Sequence, residues 1–453
     1  MERGERAKRM TEGSEWMNIL SFAFPLMVGN LFQQLYNTVD SIIVGNFIGT
    51  EALAAVGSVD PIINTFIGFF SGLSAGAGVV ISQYFGARDN ESVHKAVHST
   101  IFITFIMSII TTILALAATP LFLKMLGTPS DVWPEAEAYL GIYFIGVTGL
   151  LFYNMGSGIL RAVGDSKRPL YFLIFSAVLN TILDIIFIAV FNMGVEGAAF
   201  ATIIAQFLSA LLVLTVLTRE KGCYRIIWNK IHVDRRITRQ IIRIGMPTAL
   251  QLMVTAFSNV FIQSYINAFG SAAMAGWSSY AKIDKLCLLP LQSIGLACTT
   301  FTGQNLGAGL TDRTKRGIRS ATLMNLFVAL FLTAFLWLAA PFLVSLFNRD
   351  SDVIKYGTLF LRTISPFFLC IAFNQIHNGA LKGAGNTRTP MIIMMSSFIL
   401  FRQIYLFIAS RISDSIYPVA LGYPLGWMLC TILLAIYYKH VDIESFAITK
   451  KKI

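Results

Sequence analysis

Apolar residues dominate this chain in long runs, interrupted at intervals by short charged or glycine-rich segments. Reading the runs between those breaks predicts helices over 18–46, 52–84, 95–118, 136–160, 169–191 and 196–217. A second set follows over 242–267, 272–304, 319–340, 353–381, 390–411 and 416–438. Crossing a bilayer takes about 20 apolar residues in helical form, and each run is long enough. The breaks at 86–91 (GARDNE), 162–169 (AVGDSKRP) and 191–197 (FNMGVEG) carry the glycine, proline and polar residues that turns require. The second helix of each set is expected to be unusually long. The pattern predicts an all-α polytopic membrane protein with twelve transmembrane helices.

Composition agrees. Of 453 residues, 55% are hydrophobic and 13% are charged, against about 25% charged in an average soluble domain. So few polar side chains cannot cover so large a core. The formal net charge of +11 would suggest nucleic acid in a soluble protein, but here its placement gives the topology. The tails and alternate loops carry most of the Lys and Arg, whereas the opposite loops hold Lys124, Arg349, Lys355 and Arg411. By the positive-inside rule both termini are expected in the cytoplasm of a plasma (bacterial inner) membrane protein. The charged stretch 1–15 and the long, internally polar run after it do not have the form of a cleaved signal peptide. Cys223, Cys287, Cys298, Cys370 and Cys430 are far apart, with no C-x-x-C pair, which argues against a disulfide scaffold or a zinc or haem site. No Walker-type G-x-x-x-x-G-K-[ST] or H-E-x-x-H occurs, so neither ATP hydrolysis nor another enzyme activity is expected, and no cofactor.

The chain also repeats itself. Residues 161–169 (RAVGDSKRP) match 382–390 (KGAGNTRTP), with Gly164 to Gly385 and Pro169 to Pro390 both 221 apart. At the same offset Gln83 matches Gln304 and Gly158 matches Gly379, while Pro25 and Asn37 match Pro247 and Asn259 at 222. Each repeat holds an even number of helices, so the two halves share one orientation and are related by an axis along the membrane normal. This predicts an N-terminal lobe over 1–222 and a C-terminal lobe over 223–453, with the basic segment 218–243 as a cytoplasmic connector. Parallel repeats of this kind recur in secondary transporters.

Polar residues inside the predicted spans identify where function would lie. The first helix carries Asn30, Gln33, Gln34, Asn37 and Asp40 three to four residues apart, on one face. The seventh, its repeat partner, carries Thr248, Gln251, Thr255, Asn259 and Gln263 at similar spacing. Lipid cannot hydrogen-bond these groups, so the stripes face protein or a water-filled space. One amide is simply interhelical glue; two matched stripes in a duplicated chain point to a shared aqueous cleft. Intramembrane acids are costly and mark function. Asn180 and Asp184 lie one turn apart in the fifth helix, and Asp40 and Asp184 both fall in the outer halves of their helices. If the two acids meet, a proton or a monovalent cation such as sodium would neutralise them. At an offset of 221 Asn180 maps to Phe401, Asp184 to Tyr405 and Thr202 to Tyr423, so the ion site is expected in the first half only. Asp284, between Lys282 and Lys285, reads as a locally neutralised cluster together with Arg402. Asp60 reads as an ordinary polar contact and His377 as a packed polar residue.

These residues resemble the multidrug and toxic compound extrusion (MATE) family, within the larger group that includes polysaccharide and lipid II flippases. The resemblance covers nearly the whole chain. It rests on Pro25 with the 33–40 segment QQLYNTVD, on Gln83 with Gly86-Ala87, on the duplicated 164–166 (GDS) and 385–387 (GNT) loops, and on 180–184 (NTILD). It implies twelve helices in two pseudo-symmetric six-helix lobes around a central cleft, and export of organic cations and amphipathic drugs by proton or sodium antiport. Similarity to the DinF-like branch implies a first-lobe cation site at Asp40, Asn180, Asp184 and Thr202 and bending of the first helix at Pro25. Cleft candidates are Asn30, Gln33, Gln34, Asn37, Gln251, Thr255 and Asn259. The expected partners are small-molecule drugs and the bilayer, without nucleic acid, and the chain is expected to act as a monomer. The rival expectation is a lipid-linked oligosaccharide flippase of the same fold, disfavoured by the scarcity of intramembrane cations.

Overall fold

The computed structural model describes residues 9–413 and 415–449, with the side chains of residues 50, 51, 53, 54, 257 and 259–261 outside the described set. No strand occurs among the described residues. Among the described residues the helices form twelve segments. They are α1 (Glu15–Phe47), α2 (Thr50–Gly86), α3 (Asn90–Leu126), α4 (Trp133–Ala162), α5 (Lys167–Val190) and α6 (Gly194–Arg219). The second set is α7 (Arg235–Asn267), α8 (Ser271–Gly307), α9 (Thr311–Ser345), α10 (Ser351–Ala384), α11 (Arg388–Ile412) and α12 (Ile416–His440). α4 bends by 47° at Gly146. Ten of the twelve are long and apolar enough to cross a membrane, the bent α4 included.

The predicted breaks fall where the chain turns, with Arg88, Gly164, Asn192, Gly194 and Gly385 all at positive φ. Asp89 caps α3 by accepting from Ser92 N at 3.0 Å. The expectation of an unusually long second helix in each set is corrected: α2 and α8 each run 37 residues, but α3 also has 37 and α9 has 35. The charged segments 90–94 and 311–318, outside the predicted apolar runs, continue as helix at the starts of α3 and α9.

The chain divides into two compact units, one built on Val28–Ala249 and the other on Met10–Met27 with the residues from Leu250 onward. The cuts fall inside α1 and α7, each two residues beyond a proline, Pro25 and Pro247. A proline removes a helix hydrogen bond and clashes with the preceding turn, so both are natural points for a helix to change direction. Ile19, Phe22, Ala23 and Leu26 of α1 accordingly join the second unit's core with Phe301, Ile376 and Cys430. In the first unit the early part of α7 lies against α2, where a Cβ at Gly76 would come within 2.4 Å of Gly245 backbone.

Matched small residues set the same helix crossing in both units. A Cβ at Gly158 of α4 would lie 2.3 Å from Ser74 Oγ of α2, and one at Gly379 of α10 would lie 2.5 Å from Gly295 O of α8. Both pairs are 221 apart. The connector packs on the first unit: Ile227 N donates to His98 Nε2 at 3.0 Å and Asp234 N to Ser99 Oγ at 3.2 Å.

Candidate cation site

The first unit gathers four of the residues expected to form an ion site. Asp184 ends the regular part of α5, and the next turn, Ile185–Val190, widens to a π-helix. Such wide turns concentrate at functional positions because they break the regular hydrogen-bond ladder. Asp184 is fully buried, as is Asn180 one turn earlier, and Thr202 on α6 is 9% exposed. Asn180 Nδ2 donates to Thr202 Oγ1 at 3.4 Å. Asp40 comes from α1, half-buried, and its carboxyl lies beside that of Asp184. Asp40 Oδ1, both Asp184 carboxyl oxygens and Asn180 Oδ1 have no hydrogen-bond partner. These are four oxygens converging where a buried, uncompensated pair of carboxylates would cost several kcal/mol per ion. The donor set suits a proton shared by the two acids or a hard monovalent cation.

Sequence reasoning missed the aromatic wall of this site. Tyr36 stands one turn before Asp40, within electrostatic reach of Asp40, Asp184 and Tyr143. Tyr139 faces Asp40, its ring 6.5 Å from that of Tyr143, and Gln206 reaches Tyr143. A signal was present: Tyr36 with Asp40, Tyr139 with Tyr143 and Thr202 with Gln206 are all four residues apart on their helices. Asp60, exposed on α2, adds its field at Asp40.

The two stripes differ in setting. On α1, Asn30, Gln33 and Gln34 are half-buried and Asn37 is exposed. On α7, Thr248 and Gln251 are buried, Gln251 Nε2 lies 2.9 Å from Met394 Sδ, and the half-buried Thr255 donates to Gln251 O at 2.7 Å. The side chain of Asn259 lies outside the described residues. Pro25 is inside α1, two residues before the unit boundary. His377 is packed as expected, stacked on Phe373 at 3.7 Å and edge-on to Tyr438.

The second unit places different chemistry at the repeat-related address. Arg402, next to the counterpart of Asn180, is 2% exposed and directly follows a π-helical turn, Ser396–Phe401. Its guanidinium lies 4.7 Å from the ring centre of Tyr423, the counterpart of Thr202. Arg402 Nη2 donates to Ser258 Oγ at 2.8 Å. The reading of Asp284 as neutralised by its lysines is corrected. Lys282 Nζ sits over the Phe347 ring at 5.7 Å, Lys285 is exposed, and neither forms an ion pair with Asp284 among the described residues. On a helix the side chains that meet are three or four residues apart, so adjacency in sequence did not give proximity in space.

The MatE family profile matches this chain twice, over residues 25–186 and 247–408, and the chain belongs to that family. It is 29% identical to the probable multidrug resistance protein YpnP of Bacillus subtilis (strain 168), over 96% of this chain and 97% of that one. It is 26% identical to the probable multidrug resistance protein NorM of Thermotoga maritima, covering 84% and 82% of the two chains. A solved structure described as the outward-facing conformation of a multidrug resistance MATE family transporter of the MOP superfamily superposes with a TM-score of 0.91 at 25% identity, covering 98% of this chain and 99% of that one. The chain is thus a polytopic membrane transporter with twelve helices in two lobes, and not an enzyme.

Proposed function

We propose that this transporter exports organic cations and amphipathic drugs across the bacterial inner membrane in exchange for protons or sodium ions, with Asp40, Asn180, Asp184 and Thr202 as the coupling site. The observation that carries the reading is the set of partnerless oxygens on Asp184, Asp40 and Asn180, buried together in the first unit. A site of that kind has a loaded and an unloaded form, which exchange of drug for ion requires. Asn30, Gln33, Gln34 and Asn37 lie on the same helix as Asp40, and they, with Gln251, Thr255 and Asn259 of α7, are the proposed drug-contacting polar residues. Pro25 of the same helix is the proposed point at which α1 would bend when Asp40 is loaded. Both termini and the basic connector face the cytoplasm in this reading, and one chain suffices.

The driving force is adequate. One charge crossing 100 mV yields about 2.3 kcal/mol, and each 1.4 kcal/mol or so sustains a tenfold concentration ratio. The test is ethidium efflux from proteoliposomes under an imposed proton or sodium gradient. Wild type should expel dye under one of the two gradients, and Asp40→Asn should not. Wild-type vesicles that move no dye under either gradient would overturn drug export and favour lipid flipping.

A further inference from the structure

Asp284 is an acid within a membrane-length helix that the coupling site leaves unexplained. It lies on α8, five residues from the helix midpoint, or about 8 Å along the axis at 1.5 Å per residue. A stretch of about 20 residues centred on that midpoint, the length a bilayer crossing needs, includes it. The residue is half-buried, and its Oδ1 is buried without a hydrogen-bond partner. An ionisable group at that depth is costly and is a functional position by default.

The charged and titratable groups around it are accounted for. On α8 itself, the Tyr280 hydroxyl one turn earlier reaches the carboxyl and Cys287 follows on the same face. Lys282 and Lys285 point elsewhere, as described above. On α10, Arg362 donates from Nε to Trp337 O at 3.1 Å and covers the Trp337 ring. Tyr423 of α12 is within electrostatic reach of Asp284 and carries Arg402 of α11 on its ring. The surroundings otherwise are the rings of Trp277 and Phe360, packed on Tyr280. A hard metal ion takes six or so oxygens. Here the neighbours supply one hydroxyl, a thiol and aromatic rings, and no cluster of metal-type ligands occurs among the described residues. A proton needs no such shell.

We infer that Asp284 is a second proton-binding site, in the second unit, separate from the Asp40–Asp184 pair. A proton from water adds to a carboxylate oxygen, forming one O–H bond and leaving a neutral acid beside Tyr280. When the proton leaves, the Tyr280 hydroxyl is the donor at the carboxylate, while Arg402 lies over the ring of Tyr423. The transporter then has two loading positions of different kinds: an acid pair that takes an external ion, and a single acid beside a tyrosine hydroxyl that takes a proton. This rests on the transporter reading but not on the choice of ion at Asp40.

The test is pH-difference infrared spectroscopy of the purified protein in lipid, reading the C=O stretch of protonated carboxyls. Wild type should show a band that appears on acidification and disappears in Asp284→Asn. The same band should survive in Asp40→Asn and in Asp184→Asn. Tyr280→Phe should shift its frequency without abolishing it, which separates loss of a proton site from misfolding of the Asn variant. A wild-type spectrum unchanged by Asp284→Asn, in a variant that still elutes as a folded protein, would overturn the inference. Loss of the band in Asp40→Asn instead would assign it to the first-unit pair and overturn it equally. Neither result bears on whether dye is exported, which the efflux assay decides separately.

Discussion

The two units of this transporter share an ancestry visible in their helix crossings and differ where ions would be held. Gly158 against Ser74 and Gly379 against Gly295 make the same contact 221 residues apart. The loops that follow α4 and α10 are also duplicates. In the first, the Asp165 carboxylate caps α5 at Lys167 N and Arg168 N and pairs with Arg168, which also binds Glu220 at 2.7 Å. In the second, Asn386 does the capping as a neutral amide, accepting from Thr389 N, and donates to the Tyr437 hydroxyl at 2.7 Å. At the site level the divergence is complete. One unit presents two acids, an amide and a hydroxyl with oxygens free to take an ion, while the other fills the related position with a guanidinium stacked on tyrosine. Duplication supplied the frame, and the related positions carry different side chains, acids with an amide in one copy and a guanidinium against a tyrosine ring in the other.

That contrast can be broken, beginning with the largest effect. Asp184→Asn removes one of the two acids and should reduce gradient-driven efflux to the leak rate while leaving the protein folded, as read by dye release together with size-exclusion elution. Next come the shared crossings. Gly158→Leu and Gly379→Leu insert a side chain where backbone or Ser74 already stands, so each should lower stability by about 1–3 kcal/mol or more. Thermal melting of the purified variants should show similar losses, since the crossing is common to both units; a loss confined to one would sink the equivalence. Arg402→Lys keeps the charge but loses the planar stack on Tyr423 and should cost about 1–2 kcal/mol in the same melt. Ser258→Ala deletes one neutral partner of that guanidinium and should cost about 1 kcal/mol, with efflux near wild type. A large transport defect in Ser258→Ala would mean that the second unit's resident cation does more than fill its position.

Much of this arrangement was legible in the sequence because membranes impose strict rules. Period, length and basic-residue placement are all that a span needs, so twelve helices followed from them, and the 221-residue offset gave the duplication. Asp184 with Asn180 was readable from helical spacing alone. What was not readable depended on side chains from different helices meeting. Tyr139 approaches Asp40 and Tyr143 approaches Tyr36 through the packing of α4, and nothing in their local sequence names α1 as the neighbour. The pairing of Asp284 with its flanking lysines failed for the complementary reason: residues one or two apart on a helix point away from each other. The two π-helical turns, beside Asp184 and Arg402, left no sequence signature that periodicity would detect.

The central claim is that loading the first-unit pair is what releases the drug, and it is tested most directly by drug affinity at low and high coupling-ion concentration. Coupling free energies of this kind typically correspond to about a 5–150-fold change in affinity. Fluorescence titration of ethidium on the purified wild type should show a weakening in that range when the ion is added. Asp40→Asn and Asp184→Asn should bind dye with an affinity that no longer responds to the ion, and Ser258→Ala should respond as wild type does. An undiminished ion response in both acid variants would contradict the account and move the coupling site out of the first unit.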